Sequence, residues 1–268
     1  MYKLFVFDID GTLLTSDHHL PESVNASIQR IKAKGCQFTV ATGRSLVWTK
    51  PVLDELKVDI PHISSGGSVI GTRDDNHLIF HQPFENDVIR HILDTAYSFD
   101  IIGVNFQNIG EVVADQTSYP WMMARIGSLP LVQMDLLYKY PKQVDKVDIL
   151  GDCNTLLELD RQLKSEVKKL TIFGQGTSCL EITPSGIDKG TALQRLMDLF
   201  GITSDQVIVF GNGDNDIPMF EIAHLSIAMG NSHETVKGYA DWIAPSNEDE
   251  GVAWALHRIA CLEQEEAK

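Results

Sequence analysis

The chain has 268 residues, 43% of them hydrophobic, enough to bury a core in one large domain or two ordinary ones. Thirty-seven acidic against twenty-two basic residues give a net charge of -15, which repels nucleic-acid phosphates and anionic lipid surfaces and sets both aside as partners. Cys36, Cys153, Cys179 and Cys261 are widely spaced with no CxxC pair, so buried reduced thiols are expected rather than a disulfide framework or a thiolate zinc site.

No apolar run approaches the roughly 20 residues that span a bilayer. Met1-Tyr2-Lys3 opens directly into an apolar strand without a leader, so membranes are not expected as partners and a cytoplasmic location is.

Leu4 through Phe7 is uniformly apolar and reads as a strand buried on both faces. It runs straight into Asp8-Ile9-Asp10-Gly11-Thr12, and nothing about packing such a strand calls for paired aspartates at its exit. Residues at i and i+2 project to one side, so Asp8 and Asp10 would converge just beyond the carboxyl edge of a sheet, where open α/β sheets bind ligands. Two carboxylates so close repel unless a proton or a cation sits between them.

Pro21 to Lys34 has the apolar stripe of a helix in Val24, Ile28 and Ile31, with Gly35 at its end. Cys36 to Ala41 follows as a strand, and Ser45 caps a helix reaching about Leu56 despite Pro51. This βαβα order implies a parallel sheet. Ile60 to Ser64 reads as a third strand, and Ser68–Gly71 with His77–His81 as a hairpin.

From Pro83 the alternation becomes irregular. A helix is expected near Phe84–Tyr97, with strands near Ile101–Phe106, Glu111–Ala114 and Lys146–Leu150. A helix over Asn154–Lys168 and strands at Leu170–Phe173 and Cys179–Ile182 follow. The first rhythm resumes with a helix over Gly190–Phe200, a strand at Gln206–Phe210, an oxygen-rich loop Gly211–Asp216, a strand at Leu225–Met229 and a last helix through Leu256. The expected fold is therefore an α/β core with a parallel sheet, residues 1–82 and 184–268, interrupted by an inserted α+β domain over residues 83–183.

Three further segments join the aspartate pair as sites of chemistry. Thr42-Gly43-Arg44 lies between a strand and a helix, where a hydroxyl and backbone N–H groups can hold an anion or simply form a βα turn. Lys189 stands at a helix N-terminus, where a cation opposes the macrodipole, so either solvent or something anionic must compensate it. Gly211-Asn212-Gly213-Asp214-Asn215-Asp216 has the density of hard oxygens that suits Mg²⁺, and it lacks the spacing of an EF-hand.

With these four segments in this order, the chain resembles the haloacid dehalogenase superfamily, specifically its Cof-type branch. Asp8-Ile9-Asp10-Gly11-Thr12 is similar to the first motif of that family, Thr42-Gly43 to the second, Lys189 to the third and Gly211–Asp216 to the fourth. Leu180-Glu181-Ile182-Thr183-Pro184 resembles the return from its type-two cap. The resemblance implies a Rossmann-like core with the cap inserted between the second and third motifs. It implies Asp8 as nucleophile, Asp10 as acid and base, and Lys189 as the group that offsets charge between phosphate and Asp8. Thr42, Gly43, Arg44 and Asn215 would bind substrate, and Asp8, Asp10, Asn212 and Asp216 would hold Mg²⁺.

Two departures from the family pattern stand out. Asn212 occupies a position that is usually aspartate and a direct metal ligand, so magnesium should bind more weakly unless Asp214 or Asp216 compensates. Ser65-Gly66-Gly67 stands where the family has Asn-Gly.

The implied function is a magnesium-dependent phosphatase of small phosphorylated metabolites, sugar phosphates foremost, working through an aspartyl-phosphate as a monomer or small homo-oligomer. A sugar phosphomutase of the same fold and a non-catalytic binding module are the alternatives. His77 and His81 lie too far apart on a hairpin for one zinc ion. Tyr119 and Trp121-Met122-Met123 could line a substrate surface or fill a core, and Arg44 and Arg125 could read a remote anion or form surface pairs.

Overall fold

The structure is a computed structural model that describes residues 2–73, 77–126, 130–134, 143–168 and 170–266. Its residues cluster into two compact units. The first comprises Met1–Thr42, Val52–Ile63 and Lys189–Lys268, the second Gly43–Pro51 and Ser64–Asp188.

The first unit is built on a five-stranded parallel sheet in the order Trp242–Ile243, Leu225–Ala228, Val207–Gly211, Leu4–Phe7, Gln37–Val40. Leu4–Phe7 has strands on both sides, and its residues are at most 2% exposed, which explains why none of the four is polar. Phe7 stacks on Phe210 at 4.7 Å between ring centroids, and Phe5, Ile28, Val40, Ile227 and Leu256 belong to the same core. Burial of each such side chain contributes on the order of 1.5–3 kcal/mol. Register sets where the polar residues emerge. Phe7 lies between Val40 and Phe210, so Asp8, Thr42 and Asn212 all leave the sheet at one edge, past the carboxyl ends of adjacent strands.

The expected third strand is shorter, His62–Ser64, and among the described residues Ile63 meets the parallel sheet through a parallel bridge to Ala41. Pro61 has no N–H to extend the ladder. The last helix, Gly251–Glu266, runs well past Leu256. Trp242–Ile243 is too short to give an alternation that a sequence reader could recognise.

The second unit carries a six-stranded sheet in the order Leu170–Phe173, Cys179–Pro184, Lys146–Leu150, Gly103–Gln107, Val112–Ala114, Leu131–Gln133. Its pairings are antiparallel except for the last, which is parallel. Helices Asn86–Ala96 and Cys153–Glu166 pack on one face, where Ile89, Ile92, Leu156, Leu159 and Leu163 meet Val104, Phe106, Val147, Ile149, Leu180 and Ile182. Asp152 caps the second helix by accepting from the N–H groups of Asn154 and Thr155. The opposite sheet face is polar yet buried, with Asn105 at 0%, Gln107 at 1% and Lys146 at 3% exposure.

Helix Tyr119–Ile126 and strand Leu131–Gln133 lie outside the elements expected from sequence. The helix is fixed by tertiary contact rather than by its own pattern: Met122 packs with Trp48, Val112 and Ala114, while Trp121 and Met123 point outward.

Asp115 ties this unit's backbone together. Its Oδ1 accepts from the Ser118 N–H at 2.7 Å and the Thr117 hydroxyl, and its Oδ2 from the Val104 N–H at 2.9 Å and the Tyr97 hydroxyl at 2.7 Å. Burial opposes its ionisation, but the bonds from Ser118, Tyr97 and Val104 outweigh it and hold the carboxyl below its usual range. A depressed folded value means stability present above the unfolded value and lost as pH falls through the folded one. Asp115→Ala should lower the free energy of urea unfolding by about 2–4 kcal/mol near neutral pH. The difference should shrink as the pH drops below the ordinary carboxylate range.

Candidate active site

Asp8 leaves the central strand with its backbone N–H donating to the Phe210 carbonyl at 2.9 Å. Its side chain, 5% exposed, points at the start of helix Lys189–Phe200. Lys189 Nζ lies 2.7 Å from Asp8 Oδ1 and 2.6 Å from Asp216 Oδ1. The ammonium that opposes its helix dipole is thus compensated by two buried carboxylates. The other oxygen of Asp216 accepts from the N–H groups of Asn212 and Gly213 at 2.8 and 2.9 Å, which fixes the 211–216 loop around it. Gly190 is required behind the lysine, because a Cβ there would lie 2.4 Å from the Pro218 carbonyl oxygen.

Three charges so arranged do not balance. Burial pushes the Asp8 carboxyl up to about 7; Lys189 pulls against that rise, while the negative charges of Asp216 and Asp10 add to it. Burial works against the Lys189 ammonium too, yet Asp216 and Asp8 hold it above its ordinary value.

Asp8 Oδ2 faces the other way, toward Asn212. One terminal atom of the Asn212 amide lies 2.8 Å from the Asp10 carbonyl oxygen, 3.1 Å from Asp8 Oδ2 and 3.0 Å from the Thr12 hydroxyl. Gly11 makes this approach possible: its φ is +77°, and a Cβ there would come within 2.5 Å of the Asn212 side chain. Among the described residues no cluster of three or more His, Cys, Asp or Glu side chains could hold a metal ion. The converging groups here are a carboxylate, a backbone carbonyl and an amide, and that all-oxygen set fits a hard divalent cation such as Mg²⁺.

The Asp10 carboxylate is partly exposed and lies 3.4 Å from His18 Nδ1. Thr42 is buried, and its N–H donates to the Ile63 carbonyl at 3.0 Å. Asn215 sits within the 3₁₀ turn Asp214–Asp216, its side chain partly buried.

Gly43 and Arg44 belong to the second unit. The Gly43 carbonyl accepts from Lys146 Nζ at 3.0 Å, and Lys146 also lies 2.7 Å from Glu181 and 2.9 Å from Asp148. The Arg44 guanidinium stacks 4.9 Å over the Trp48 ring. The side chain of Arg125 lies outside the described residues.

Sequence reading misses Lys146, Asp148, Gln107 and Asn105. Their signal is the period-two alternation with Val104, Phe106, Val147 and Ile149, which ordinarily marks a solvated sheet face. Here that face is buried, with Gln107 donating to Asp148 at 3.0 Å and, among the described residues, no partner for either polar atom of the Asn105 amide. His81, by contrast, contacts Asp145 at 2.6 Å.

Because Lys189 separates two buried carboxylates, Lys189→Met should destabilise the protein by about 3–5 kcal/mol in chemical denaturation. Adding Asp8→Asn to that variant should restore part of the loss; a Lys189→Met protein as stable as the parent would mean that the pairing contributes nothing.

A family model described as haloacid dehalogenase-like hydrolase matches residues 5–256. Two 5-amino-6-(5-phospho-D-ribitylamino)uracil phosphatases of Bacillus subtilis are similar along their lengths. One is 27% identical, covering 97% of this chain and 98% of its own, and the other 28% identical, covering 95% and 94%. A solved haloacid dehalogenase-like hydrolase from Bacteroides thetaiotaomicron superposes with a TM-score of 0.83 at 28% identity, covering 97% of this chain and all of its own. The chain belongs to the haloacid dehalogenase-like hydrolases, and it is a phosphatase of that family.

Proposed function

We propose that the protein hydrolyses small phosphorylated metabolites, sugar and sugar-alcohol phosphates foremost, through an aspartyl-phosphate formed on Asp8. The observation that carries this reading is the clasp of Lys189 between Asp8 and Asp216 at the carboxyl edge of the parallel sheet. A carboxylate there is buried, oriented and partly neutralised, as a nucleophile attacking an anionic ester must be.

In this reading Asp8 Oδ1 attacks phosphorus as the ester P–O bond breaks, and the Asp10 carboxyl gives its proton to the leaving oxygen. Asp10 then takes a proton from water, whose oxygen attacks the same phosphorus and frees Asp8. Lys189 keeps its charge throughout and offsets the negative charge that builds at the reacting centre. Thr42 and Gly43 hold the phosphoryl oxygens, and Asn215 and Arg44 support the bound substrate.

Asp8 Oδ2, the Asp10 carbonyl and Asn212 would hold Mg²⁺, which when bound neutralises negative charge on the nucleophile and the phosphoryl group. Asp216, grouped with these ligands on sequence grounds, has Oδ1 on Lys189 and Oδ2 on two loop N–H groups; we assign it to positioning the lysine and the loop.

Support for the substrate class comes from two relatives named for a phosphate ester of a ribityl chain. The segment 83–183 is the cap in this scheme, excluding water until the acyl phosphate has formed. We take the protein to be a cytoplasmic monomer or small homo-oligomer; no described helix is long and apolar enough to cross a membrane.

Phosphate release from an aryl phosphate and from a panel of sugar and polyol phosphates should require Mg²⁺ and disappear with a chelator. Asp8→Asn should reduce kcat at least ~10³-fold. Borohydride reduction during turnover should convert Asp8 to homoserine, detectable by peptide mass spectrometry; undiminished turnover in Asp8→Asn would refute the scheme.

A further inference from the structure

We propose that the Asn212 amide is a switch at the cation position, with Nδ2 turned inward in the metal-free protein and Oδ1 turned inward when a divalent cation binds. The inference rests on the cation site proposed above and concerns a residue at which this chain departs from its family's usual aspartate.

The argument is one of donors and acceptors. The inward atom of the amide lies 2.8 Å from the Asp10 carbonyl oxygen and 3.1 Å from Asp8 Oδ2, and neither of those oxygens has a proton to give while Asp8 is ionised. With oxygen inward and no cation, three acceptors would face one another in a partly buried site and none of them would be satisfied by the others. With nitrogen inward, the amide donates to both the carboxylate and the carbonyl, and the Thr12 hydroxyl at 3.0 Å accommodates either orientation because it both donates and accepts. Hydrogen-bond logic therefore demands nitrogen when the position is empty and Asp8 is ionised.

A hard cation reverses the demand, since it takes oxygen ligands and an amide nitrogen is not one. A half-turn of the amide plane exchanges the two atoms without moving the backbone, which the Asp216 carboxylate holds through the Asn212 and Gly213 N–H groups. The metal-free protein thus fills the cation's place with its own donor, and binding must displace it. An aspartate at 212 has no donor to offer: it would add negative charge beside Asp8 in the empty site and bind the cation more tightly once present. Asn212 trades cation affinity for a metal-free state that is stable by itself.

The test uses the full chain, ¹⁵N-labelled and freed of metal with a chelator. The Asn212 side-chain NH₂ should exchange with solvent at least ten-fold more slowly than those of exposed asparagines, and saturating MgCl₂ should abolish that protection. Asn212→Asp should bind Mg²⁺ at least ten-fold more tightly by calorimetry. In chelator it should unfold at a lower temperature than the parent, with the gap closing or reversing in MgCl₂. The NMR experiment needs only the parent protein, so it decides the matter even where the variant folds poorly.

Free exchange of the Asn212 amide in chelator, or an unchanged amide signal at Mg²⁺ concentrations that support phosphate release, would overturn the switch and leave the phosphatase reading standing. Persistent turnover by Asp8→Asn would strike that reading instead, whatever Asn212 does.

Discussion

An ammonium held between two buried carboxylates organises the first unit's site. Lys189 is 1% exposed and Asp216 0%, so the three charges interact with little screening, and removing the lysine leaves two buried carboxylates without a counter-charge. Making the clasp fixes geometry across 181 residues of sequence. The strand Leu4–Phe7 must lie beside Val207–Gly211, and helix Lys189–Phe200 must begin level with the strand ends. Its second residue must be glycine to clear Pro218. The apolar core, with Phe7 stacked on Phe210 directly beneath the site, supplies the rigidity that keeps those distances short.

The clasp leaves one unit of negative charge in excess, and the neighbouring groups are arranged around that surplus. Asp8 divides its labour between its two oxygens, Oδ1 toward Lys189 and Oδ2 toward the Asp10 carbonyl and Asn212. Burial raises the affinity of Asp8 for a proton, and the negative charges of Asp216 and Asp10 add to that rise against the pull of Lys189. In the proposed scheme an incoming phosphate ester enlarges the surplus, and a cation on the Oδ2 side would complement the lysine on the Oδ1 side.

Much of this is legible in the sequence because its causes are local. An all-apolar tetrapeptide ending in Asp8-Ile9-Asp10 has few structural explanations, and a lysine at a helix start calls for either solvent or an anion to compensate it. The parallel order of Leu4–Phe7 and Gln37–Val40 comes from βαβα spacing. Less legible is everything fixed by non-local packing. Asn105, Gln107, Lys146 and Asp148 alternate with apolar neighbours as a solvated face would, and only the fold shows that face to be buried. Helix Tyr119–Ile126 depends on Met122 meeting Trp48, far away in the chain, and nothing in the sequence, which groups Asp216 with the magnesium ligands, marks its bonds to Lys189 and the loop N–H groups.

Asn212 shows how such a site can be tuned without moving its framework. Aspartate and asparagine have nearly the same shape, so the Gly11 turn and the loop N–H groups bonded to Asp216 accept either side chain. What differs is that an amide presents a donor or an acceptor according to its rotation, while a carboxylate presents only acceptors. In a chain carrying a net charge of -15, and beside an Asp8 whose protonation is already favoured by burial and by the charges of Asp216 and Asp10, a further acid would deepen the repulsion. In the proposed scheme the amide relieves that repulsion and still offers an oxygen to a cation, so one substitution shifts the balance between metal-free stability and cation affinity while Asp8 and Lys189 stay where the sheet puts them.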